Sequence, residues 1–295
     1  MATRAFDDWA RSGRTIEVGD HRIWMADFPP LERATGDPVF VLHGYPTSSF
    51  DWHRVLPTLR AHRRVVVLDL IGFGLSDKPD QRYSIEGYAD VAQAVADAAG
   101  LTTVALVTHD LGDSVGGELL ARALDGTLPF AVSERIVTNG SIYMELAQLS
   151  AGQQMLLAAD DAPIDLAAAG IDPGEGFRRG VGGTFADPAR ADPEELDRAW
   201  EFASYHDGHK MLARTIRYIE DRRAKESRYT GAIERHDAPL SVIWGELDPI
   251  AVHPMAIRLH ERVPGSKLET LEGIAHYPMI EDPTRFAAAL EGALG

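Results

Sequence analysis

The sequence predicts an α/β fold in which a mostly parallel sheet is flanked by helices. Short, continuous apolar runs such as 103–108 alternate with stretches of helical character, a pattern typical of parallel sheets covered on both faces. Between 141 and about 235 the alternation stops and the chain is helical in character. We therefore predict an α/β core formed by residues 1–140 and 236–295, with residues 141–235 inserted as a helical cap.

Each element is placed by its apolar run and by the turn residues around it. Residues 14–28 predict two strands that turn at Gly19-Asp20. Further strands are predicted at 38–42, 64–70, 103–108, 135–138, from 239 onward, and at 267–271. Helices are predicted at 85–99 (with Gly100 as the residue that ends it), at 114–124 and at 283–294. Within the cap, helix breaks are predicted at Pro163, Pro173, 180–183 and Pro188.

The composition excludes several classes of function. Acidic residues outnumber basic ones 45 to 29, a formal net charge of −16, and such a surface repels phosphate backbones, so we expect no nucleic-acid partner. The chain has no cysteine, which excludes disulfides and thiol catalysis. His206 and His209 lack an evident third ligand, so we expect no metal and no cofactor.

The sequence also gives expectations about location and assembly. Residues 1–14 contain no apolar core of the signal-peptide type, and no run approaches the ~18 apolar residues of a membrane helix. We therefore expect a cytoplasmic protein with no membrane partner, present as a monomer or a homodimer.

The strongest local signal is Thr108-His109-Asp110-Leu111-Gly112, which follows a buried strand and precedes a helix. A nucleophile on a sharp strand-to-helix turn needs small residues two places to either side, and Thr108 and Gly112 flank Asp110 in this way. The helix N-terminus behind Asp110 stabilises an anion. We predict that Asp110 is the catalytic nucleophile; the alternative is an aspartate that merely caps the helix.

A second nucleophile motif overlaps the first. Residues 112–116 (GDSVG) match the G-x-S-x-G pattern of serine hydrolases, with Ser114 at its centre. The apolar strand ends at Thr108, however, so Ser114 falls inside the helix and not on the turn. This register favours Asp110.

The segment His43-Gly44-Tyr45-Pro46 follows the strand predicted at 38–42. Such a loop can aim the Tyr45 N–H at the reacting centre beside the N–H of Leu111, and two donors of this kind form an oxyanion hole. Pro46 restricts Tyr45 to extended geometry, and a cis bond is compatible with the sequence. We assign His43 and Pro46 to substrate binding; a simple turn is the alternative.

Two further segments supply a base and an acid. His276 follows the last predicted strand and Asp248 follows the strand that starts near 239. The chain order nucleophile, acid, histidine is that of a catalytic triad in which a carboxylate fixes the histidine tautomer. Glu246 is the weaker candidate for the acid. Asp69 is assigned to a structural loop.

These motifs together resemble the α/β-hydrolase superfamily across nearly the whole chain, through HGYP, LDLIGFGLSDKP, HDLG, GELDP and AHYPMIEDP. Asp110 on the turn is similar to the nucleophile of the epoxide hydrolase and haloalkane dehalogenase branch. The mesoderm-specific transcript proteins are still more similar, through HGYPTSSFDW, SDKP, YSI, HDLGD, TNGSIY and HYPMIEDP. The resemblance implies an α/β-hydrolase fold with a helical cap.

Departures from the branch pattern bear on the substrate. Haloalkane dehalogenases usually carry tryptophan after the nucleophile and often asparagine after His-Gly, where this chain has Leu111 and Tyr45. Epoxide hydrolases carry His-Gly-x-Pro, which is present, and two cap tyrosines that hold the epoxide oxygen. Tyr218 falls about where one of these is expected, and Tyr143 and Tyr205 compete for the second position, with Tyr205 also a candidate for substrate binding.

The resemblance therefore implies an epoxide hydrolase that takes a small apolar organic substrate and water and releases a vicinal diol. The alternatives are a haloalkane dehalogenase acting on an alkyl halide, or another ester-type hydrolase. A third alternative is a non-catalytic ligand-binding protein on the same scaffold, because fold alone does not fix function.

Overall fold

The computed structural model describes residues 2–168 and 170–295. Within these residues, eight strands form one sheet in the order β1-β2-β4-β3-β5-β6-β7-β8. β2 pairs antiparallel with β1 and β4, and the remaining pairs are parallel. The strands are β1 (Arg14–Val18), β2 (His21–Phe28), β3 (Val39–Leu42), β4 (Val65–Leu68), β5 (Thr103–His109), β6 (Ala131–Thr138), β7 (Leu240–Gly245) and β8 (Lys267–Leu271).

Helices surround the sheet. They are α1 (Arg4–Ser12), α2 (Leu56–Leu59), α3 (Ile85–Ala98), α4 (Leu111–Leu124), α5 (Ala151–Ala158), α6 (Pro173–Gly182), α7 (Pro193–Ser204), α8 (Leu212–Thr215), α9 (Tyr218–Arg235), α10 (Pro254–Arg262), α11 (Pro278–Glu281) and α12 (Pro283–Ala293). Three 3-10 segments lie at Ser49–Trp52, Pro188–Arg190 and Tyr205–Met211. Among the helices of the described residues, none is long and apolar enough to cross a bilayer.

Strand β3 shows how the sheet is buried on both faces. Phe40 and Leu42 belong to one apolar cluster, whereas Val39 and Val41 belong to a second. Because side chains alternate along a strand, the two clusters lie on opposite faces. The prediction of a mostly parallel sheet flanked by helices is confirmed.

Some element boundaries differ from the predictions. Helix α4 begins at Leu111, three residues before the predicted start, because the chain turns into the helix directly after Asp110. In the cap, Pro173 starts α6 and residues 180–182 lie inside that helix. Proline is favourable at the first helical position, where an N–H would have no partner, so the break predicted at Pro173 is the point where α6 begins, whereas the break predicted at 180–183 falls within α6 as far as Gly182.

Helix α9, the last of the predicted cap segment, packs along α4 of the core. Gly117 lies so close to α9 that an added Cβ would be 2.7 Å from the backbone oxygen of Tyr229. Arg228 also donates to Glu118 at 2.6 Å. The division of the chain at 140 and 235 remains a prediction, but α9 connects the two regions physically.

Helix α1 packs against the cap helix α7. The rings of Phe6 and Phe202 lie 4.8 Å apart. The backbone N–H and the hydroxyl of Thr3 donate to the carboxylate of Glu201 at 2.6 and 2.5 Å. Helix α1 therefore packs against α7, which belongs to the predicted cap segment.

Candidate active site

Asp110 occupies a sharp turn between β5 and α4. Its φ of 49° and ψ of −108° lie outside the regions that non-glycine residues usually adopt, so the turn is strained. The side chain makes no capping hydrogen bond to α4 and the residue is only 3% exposed. The alternative interpretation, an aspartate that serves as a helix cap, therefore loses its support.

Two glycines allow this turn to lie against the loop after β3. An added Cβ on Gly112 would lie 2.6 Å from the backbone oxygen of Leu42, and one on Gly44 would lie 2.8 Å from the Cβ of Asp110. Neither approach is possible for a residue with a side chain unless the backbone shifts. The small residues at 44 and 112 thus let the β3 loop reach the carboxylate of Asp110.

The β3 loop contributes a hydrogen-bond donor to Asp110. The Tyr45 N–H donates to Asp110 Oδ2 at 2.9 Å, and the Tyr45–Pro46 bond is cis. Leu111 opens α4, so its N–H is one of the first-turn donors that have no acceptor within the helix. The structure brings together Asp110 and both residues expected to form an oxyanion hole.

His43 holds this loop by its two ring nitrogens. Its Nε2 accepts from the Leu70 N–H at 3.0 Å, which leaves Nδ1 to donate to the Gly44 carbonyl at 2.8 Å. Burial lowers the pKa of His43, so the ring stays neutral. Because both nitrogens are used by the backbone, the geometry does not support His43 as a substrate-binding residue. Pro46 is half-buried in the same loop.

His276 and Asp248 form a buried pair. His276 Nδ1 donates to Asp248 Oδ2 at 2.8 Å, which leaves Nε2 to exchange a proton with water or substrate. Asp248 Oδ1 accepts the backbone N–H groups of Ile250 and Ala251 at 2.8 and 2.9 Å. Asn139 donates to Asp248 Oδ2 at 2.6 Å. Both carboxylate oxygens of Asp248 thus accept hydrogen bonds, and these bonds fix the orientation of the side chain.

The electrostatics of His276 favour its charged form. Burial lowers the pKa of His276, but the charge and hydrogen bond of Asp248 and the charges of Asp110 and Glu281 outweigh it and raise the pKa to about 9. The histidine is therefore an imidazolium at neutral pH. If Asp110 lost its charge, one of the contributions that keep His276 protonated would be removed.

Glu246, the second candidate for the acid, lies apart from His276. It is exposed, and its Oε2 accepts the backbone N–H of Gly273 at 3.2 Å. Asp248 is only 4% exposed and contacts the imidazole directly. The structure therefore favours Asp248 as the partner of His276.

Tyr218 lies beside the nucleophile. It is 1% exposed, and its ring centroid is 5.7 Å from that of Tyr45. Burial and the charge of Asp110 raise the pKa of Tyr218 well above its usual value. The phenol is therefore un-ionised and close enough to Asp110 to feel its charge.

The two candidates for a second cap tyrosine lie elsewhere. The hydroxyl of Tyr143 donates to Glu234 at 2.8 Å. Tyr205 stacks on His206, with a centroid separation of 4.0 Å, and lies beside Phe6 of α1. The contacts of these two residues do not include Asp110.

Two side chains near Asp110 were not identified from the sequence. The Tyr277 hydroxyl donates to the Tyr45 carbonyl at 3.3 Å and so links the histidine loop to the β3 loop. Arg222 is 2% exposed, and its Nη2 lies 3.4 Å from the backbone oxygen of Asp110. Arg222 follows Tyr218 by four positions on α9, which places both on one helix face. That spacing was the available signal.

Ser114 is hydrogen-bonded within the protein. It lies in α4, and its hydroxyl accepts from Arg222 Nε at 2.6 Å. Ser114 thus lies past the strained turn, in agreement with the register that favours Asp110.

The chemistry-bearing residues lie after the carboxyl ends of their strands. A groove of about 380 Å³ lies elsewhere, between strand β7, the edge strand β8 and helix α12. Its lining includes Ser241 and Lys267, which are near the amino ends of those strands. In parallel α/β sheets chemistry occurs at the carboxyl ends, so this groove is separate from the candidate site.

Comparison with known proteins places the chain in a family. Residues 37–283 match the family described as alpha/beta hydrolase fold. A Mycobacterium tuberculosis protein named "Putative hydrolase LipZ" is 34% identical over 292 residues, which cover 98% of both chains. The mesoderm-specific transcript protein of Mus musculus is 32% identical over 298 residues, covering 98% of this chain and 87% of the relative.

Two solved structures share the architecture. The epoxide hydrolase CorEH has a TM-score of 0.75 at 16% identity, covering 95% of this chain and 97% of its own. A point mutant of the haloalkane dehalogenase DatA from Agrobacterium tumefaciens C58 has a TM-score of 0.73 at 21% identity, covering 99% of both chains. At these identities the likeness concerns the fold alone. Given the family match over most of its length, the chain belongs to the hydrolases of the alpha/beta hydrolase fold family.

Proposed function

We propose that the protein hydrolyses small apolar epoxides to vicinal diols through a covalent ester on Asp110. The observation that carries the proposal is the carboxylate of Asp110 on the strained turn, with its Oδ2 bound by the Tyr45 N–H at 2.9 Å. An aspartate in this position takes the place of the serine that other members of such a fold use as the nucleophile.

In the first step, the free oxygen of Asp110 attacks an epoxide carbon. The carbon–oxygen bond of the ring breaks, its electron pair goes to the departing oxygen, and a new ester bond forms on Asp110. The Tyr218 phenol gives its proton to that oxygen, which becomes a hydroxyl. This step needs no general base, because the carboxylate is already the nucleophile.

In the second step, water attacks the ester carbonyl. His276 Nε2 takes a proton from the water, while Asp248 holds the imidazole through Nδ1. The N–H groups of Tyr45 and Leu111 stabilise the oxyanion of the tetrahedral intermediate, a contribution of roughly 3–4 kcal/mol per donor in related sites. The acyl carbon–oxygen bond then breaks and its electron pair goes to the departing oxygen, which takes the second proton of the water; the diol leaves and the Asp110 carboxylate is restored. The proton held by His276 restores the phenol of Tyr218.

The charge of Asp110 sets the order of the two steps. While Asp110 is ionised, it helps to keep His276 protonated. Ester formation neutralises Asp110 and thereby removes that support, so the pKa of His276 falls, the imidazolium releases its Nε2 proton to solvent, and the neutral imidazole is available as the base. The same pair of residues thus serves both halves of the reaction.

Tyr218 supports epoxide chemistry over halide chemistry. An opening epoxide leaves an alkoxide, which needs a proton donor, and the un-ionised phenol of Tyr218 lies beside Asp110. A halide leaves as a weakly basic anion and needs only N–H donors. The candidate site has apolar and aromatic surroundings, which include the rings of Tyr45 and Phe73, 6.2 Å apart. Such surroundings suit a small apolar substrate.

Isotope labelling tests the covalent ester. A single turnover in heavy-oxygen water is expected to place label in the Asp110 carboxylate. The His276→Gln variant is expected to accumulate an alkyl-enzyme that mass spectrometry of the intact protein detects. Label found only in the product, together with an inactive Ser114→Ala variant, would reverse the assignment of the nucleophile.

A substrate panel tests the substrate class. Wild-type protein and Asp110→Ala are compared on styrene oxide, bromoalkanes and p-nitrophenyl esters. We expect Tyr218→Phe to reduce epoxide turnover by ~10²-fold or more, in the range of general-acid contributions. Tyr229→Phe on the same helix is the matched control, because its hydroxyl bonds to Glu86 at 2.8 Å. Bromide release without epoxide opening would replace epoxide hydrolysis by haloalkane dehalogenation.

A further inference from the structure

Arg222 is a buried cation that lies against the backbone of Asp110 and the ring of Tyr218. Its Nε donates to the Ser114 hydroxyl at 2.6 Å and its Nη2 lies 3.4 Å from the Asp110 carbonyl oxygen. Its guanidinium carbon is 4.9 Å from the centroid of the Tyr218 ring. The side chain thus joins the nucleophile turn to the phenol across the junction of α4 and α9.

Among the described residues, this cation has no direct carboxylate partner. Within 2–168 and 170–295, no carboxylate oxygen lies within the 4.0 Å ion-pair distance of Arg222. Burial of an unpaired charge costs several kcal/mol, and charges of this kind are usually retained where they interact with charge that forms during function. Arg222 contacts the Ser114 hydroxyl, the backbone of Asp110 and the ring of Tyr218. Its charge also acts on the buried carboxyl of Asp113 and lowers the pKa of that group, against the larger effect of burial.

We propose that Arg222 is a positioning residue that stabilises the anionic form of Tyr218, the phenolate left after that phenol protonates the opening epoxide oxygen. The role rests on the proposed function, because the phenolate forms only if Tyr218 acts as the proton donor. A cation over an aromatic ring is attracted to its electron-rich face, and the attraction is strongest where the contact is desolvated. It increases further when the ring carries a full negative charge.

The charge balance of the first step explains why the cation is needed. Before the step, the negative charge is on the Asp110 carboxylate. The electron pair of the broken bond moves to the epoxide oxygen, and the proton of Tyr218 follows, so the charge ends on Tyr218. Arg222 lies against the backbone of Asp110 near one end of this path and against the ring of Tyr218 at the other. The positive charge of Arg222 is therefore already in place to stabilise the negative charge throughout ring opening, and the side chain does not have to move.

Arg222 also accounts for a single cap tyrosine at the site. The Tyr143 hydroxyl donates to Glu234 and Tyr205 stacks on His206, so neither of these two candidates shares the proton transfer. A fixed positive charge provides another way to make one phenol a sufficient donor. In agreement, the charge of Arg222 lowers the pKa of Tyr218, against the larger opposing effects of burial and of Asp110.

Other titratable groups also act on Tyr218. Asp110 and Tyr45 raise its pKa, and two further phenols feel its charge, namely Tyr88 of α3 and Tyr277 after β8. A measurement on Tyr218 alone is therefore required to isolate the contribution of Arg222.

The test replaces Tyr218 with 3,5-difluorotyrosine, whose phenol is more acidic than that of tyrosine, and follows its titration by fluorine NMR. We expect Arg222→Gln, which can keep a donor to Ser114 without the charge, to raise the phenol pKa by about one pH unit. Arg222→Lys, which keeps the charge, is expected to lie between Arg222→Gln and the wild type. If Arg222→Gln does not fold, the same titration is made on Arg222→Met.

A second buried arginine serves as the control. Arg135 is also 2% exposed and donates to the carbonyl of Ala238 at 2.8 Å, away from Tyr218. We expect Arg135→Gln to leave the titration of residue 218 unchanged. An unchanged titration in folded Arg222→Gln would overturn the role proposed for Arg222.

The activity readout separates this inference from the proposed function. Single-turnover opening of styrene oxide is expected to slow ~10-fold or more in Arg222→Gln, with recovery in Arg222→Lys and little change in KM. If the wild-type protein opens no epoxide, the proposed function is wrong, and the titration still decides whether Arg222 stabilises the phenolate. If epoxides open at equal rates in wild type and Arg222→Gln, the inference is wrong and the proposed function stands.

Discussion

The side-chain amide of Asn139 donates to Asp248 at 2.6 Å, on the same carboxylate oxygen that holds His276. Asn139 itself is fixed, because its Oδ1 accepts the Gly245 N–H at 3.1 Å. The residue after β6 thus sets the orientation of the acid that follows β7. Three adjacent strand ends cooperate in placing one imidazole.

Asn139→Ala is expected to lower kcat by ~10-fold with little change in KM. Removal of the amide leaves a buried carboxylate oxygen with one donor fewer, a loss of about 1–2 kcal/mol. Steady-state kinetics on the substrate identified by the panel measure the change, and circular dichroism checks the fold. A large change in KM with constant kcat would indicate a role in substrate binding instead.

Asp248→Asn is expected to reduce turnover by up to ~10⁴-fold, because the imidazole loses its orientation and its preferred tautomer. Glu246→Gln is the matched control, since Glu246 lies on the same loop and contacts the Gly273 backbone instead of the histidine. Both variants are assayed for turnover and for accumulation of the alkyl-enzyme. Normal activity in Asp248→Asn with loss in Glu246→Gln would exchange the two assignments.

The pKa of His276 is expected to fall in Asp110→Asn. The free protein holds it at about 9, partly through the Asp110 charge, and the neutral amide resembles the ester state in charge. Removal of a nearby negative charge disfavours the imidazolium, so titration moves to lower pH. NMR titration of the imidazole compares the two proteins. A value that stays the same or rises would contradict the proposed change of role between the two steps.

Gly112→Ala is expected to destabilise the fold by about 2–4 kcal/mol and to abolish turnover, because the new Cβ would overlap the backbone of Leu42. Gly292→Ala in α12 is the control, because an added Cβ there meets no atom within 4 Å. Alanine in an open helical position is expected to stabilise the helix by ~0.5–1 kcal/mol. Urea unfolding measures both changes. Equal stability of the two variants would show that the turn adjusts to a side chain at 112.

Local patterns predict the sheet well because parallel strands such as β5 are short apolar runs with clear ends. The boundary at Leu111 could not be predicted in the same way. It depends on the strained backbone of Asp110, which the packing of Gly112 against β3 maintains. Strain of this kind comes from tertiary contacts, and residue types along one segment do not report it.

In the candidate site, too, the residues that follow strands could be predicted, whereas those of the helical segment could not. Asp110, Asp248 and His276 follow strands and lie in short motifs, so topology alone brings them to one edge of the sheet. Tyr143, Tyr205 and Tyr218 belong to the helical segment, where spacing gives no direction toward the sheet. Only Tyr218 of these three lies beside Asp110, because α9 packs on α4.

The contact between Thr3 and Glu201 has a practical consequence for handling the protein. A purification tag or a fluorescent fusion joined at the amino end would emerge directly beside the cap helix α7, where the Thr3 N–H bonds to the Glu201 carboxylate at 2.6 Å. The carboxyl end follows α12, which packs on the core next to α2 and β8. Labels and surface-immobilisation handles attached after the exposed Gly295 leave the packing of α1 against α7 undisturbed, and a flexible linker keeps them clear of the buried Leu294, whose carbonyl accepts from Arg63.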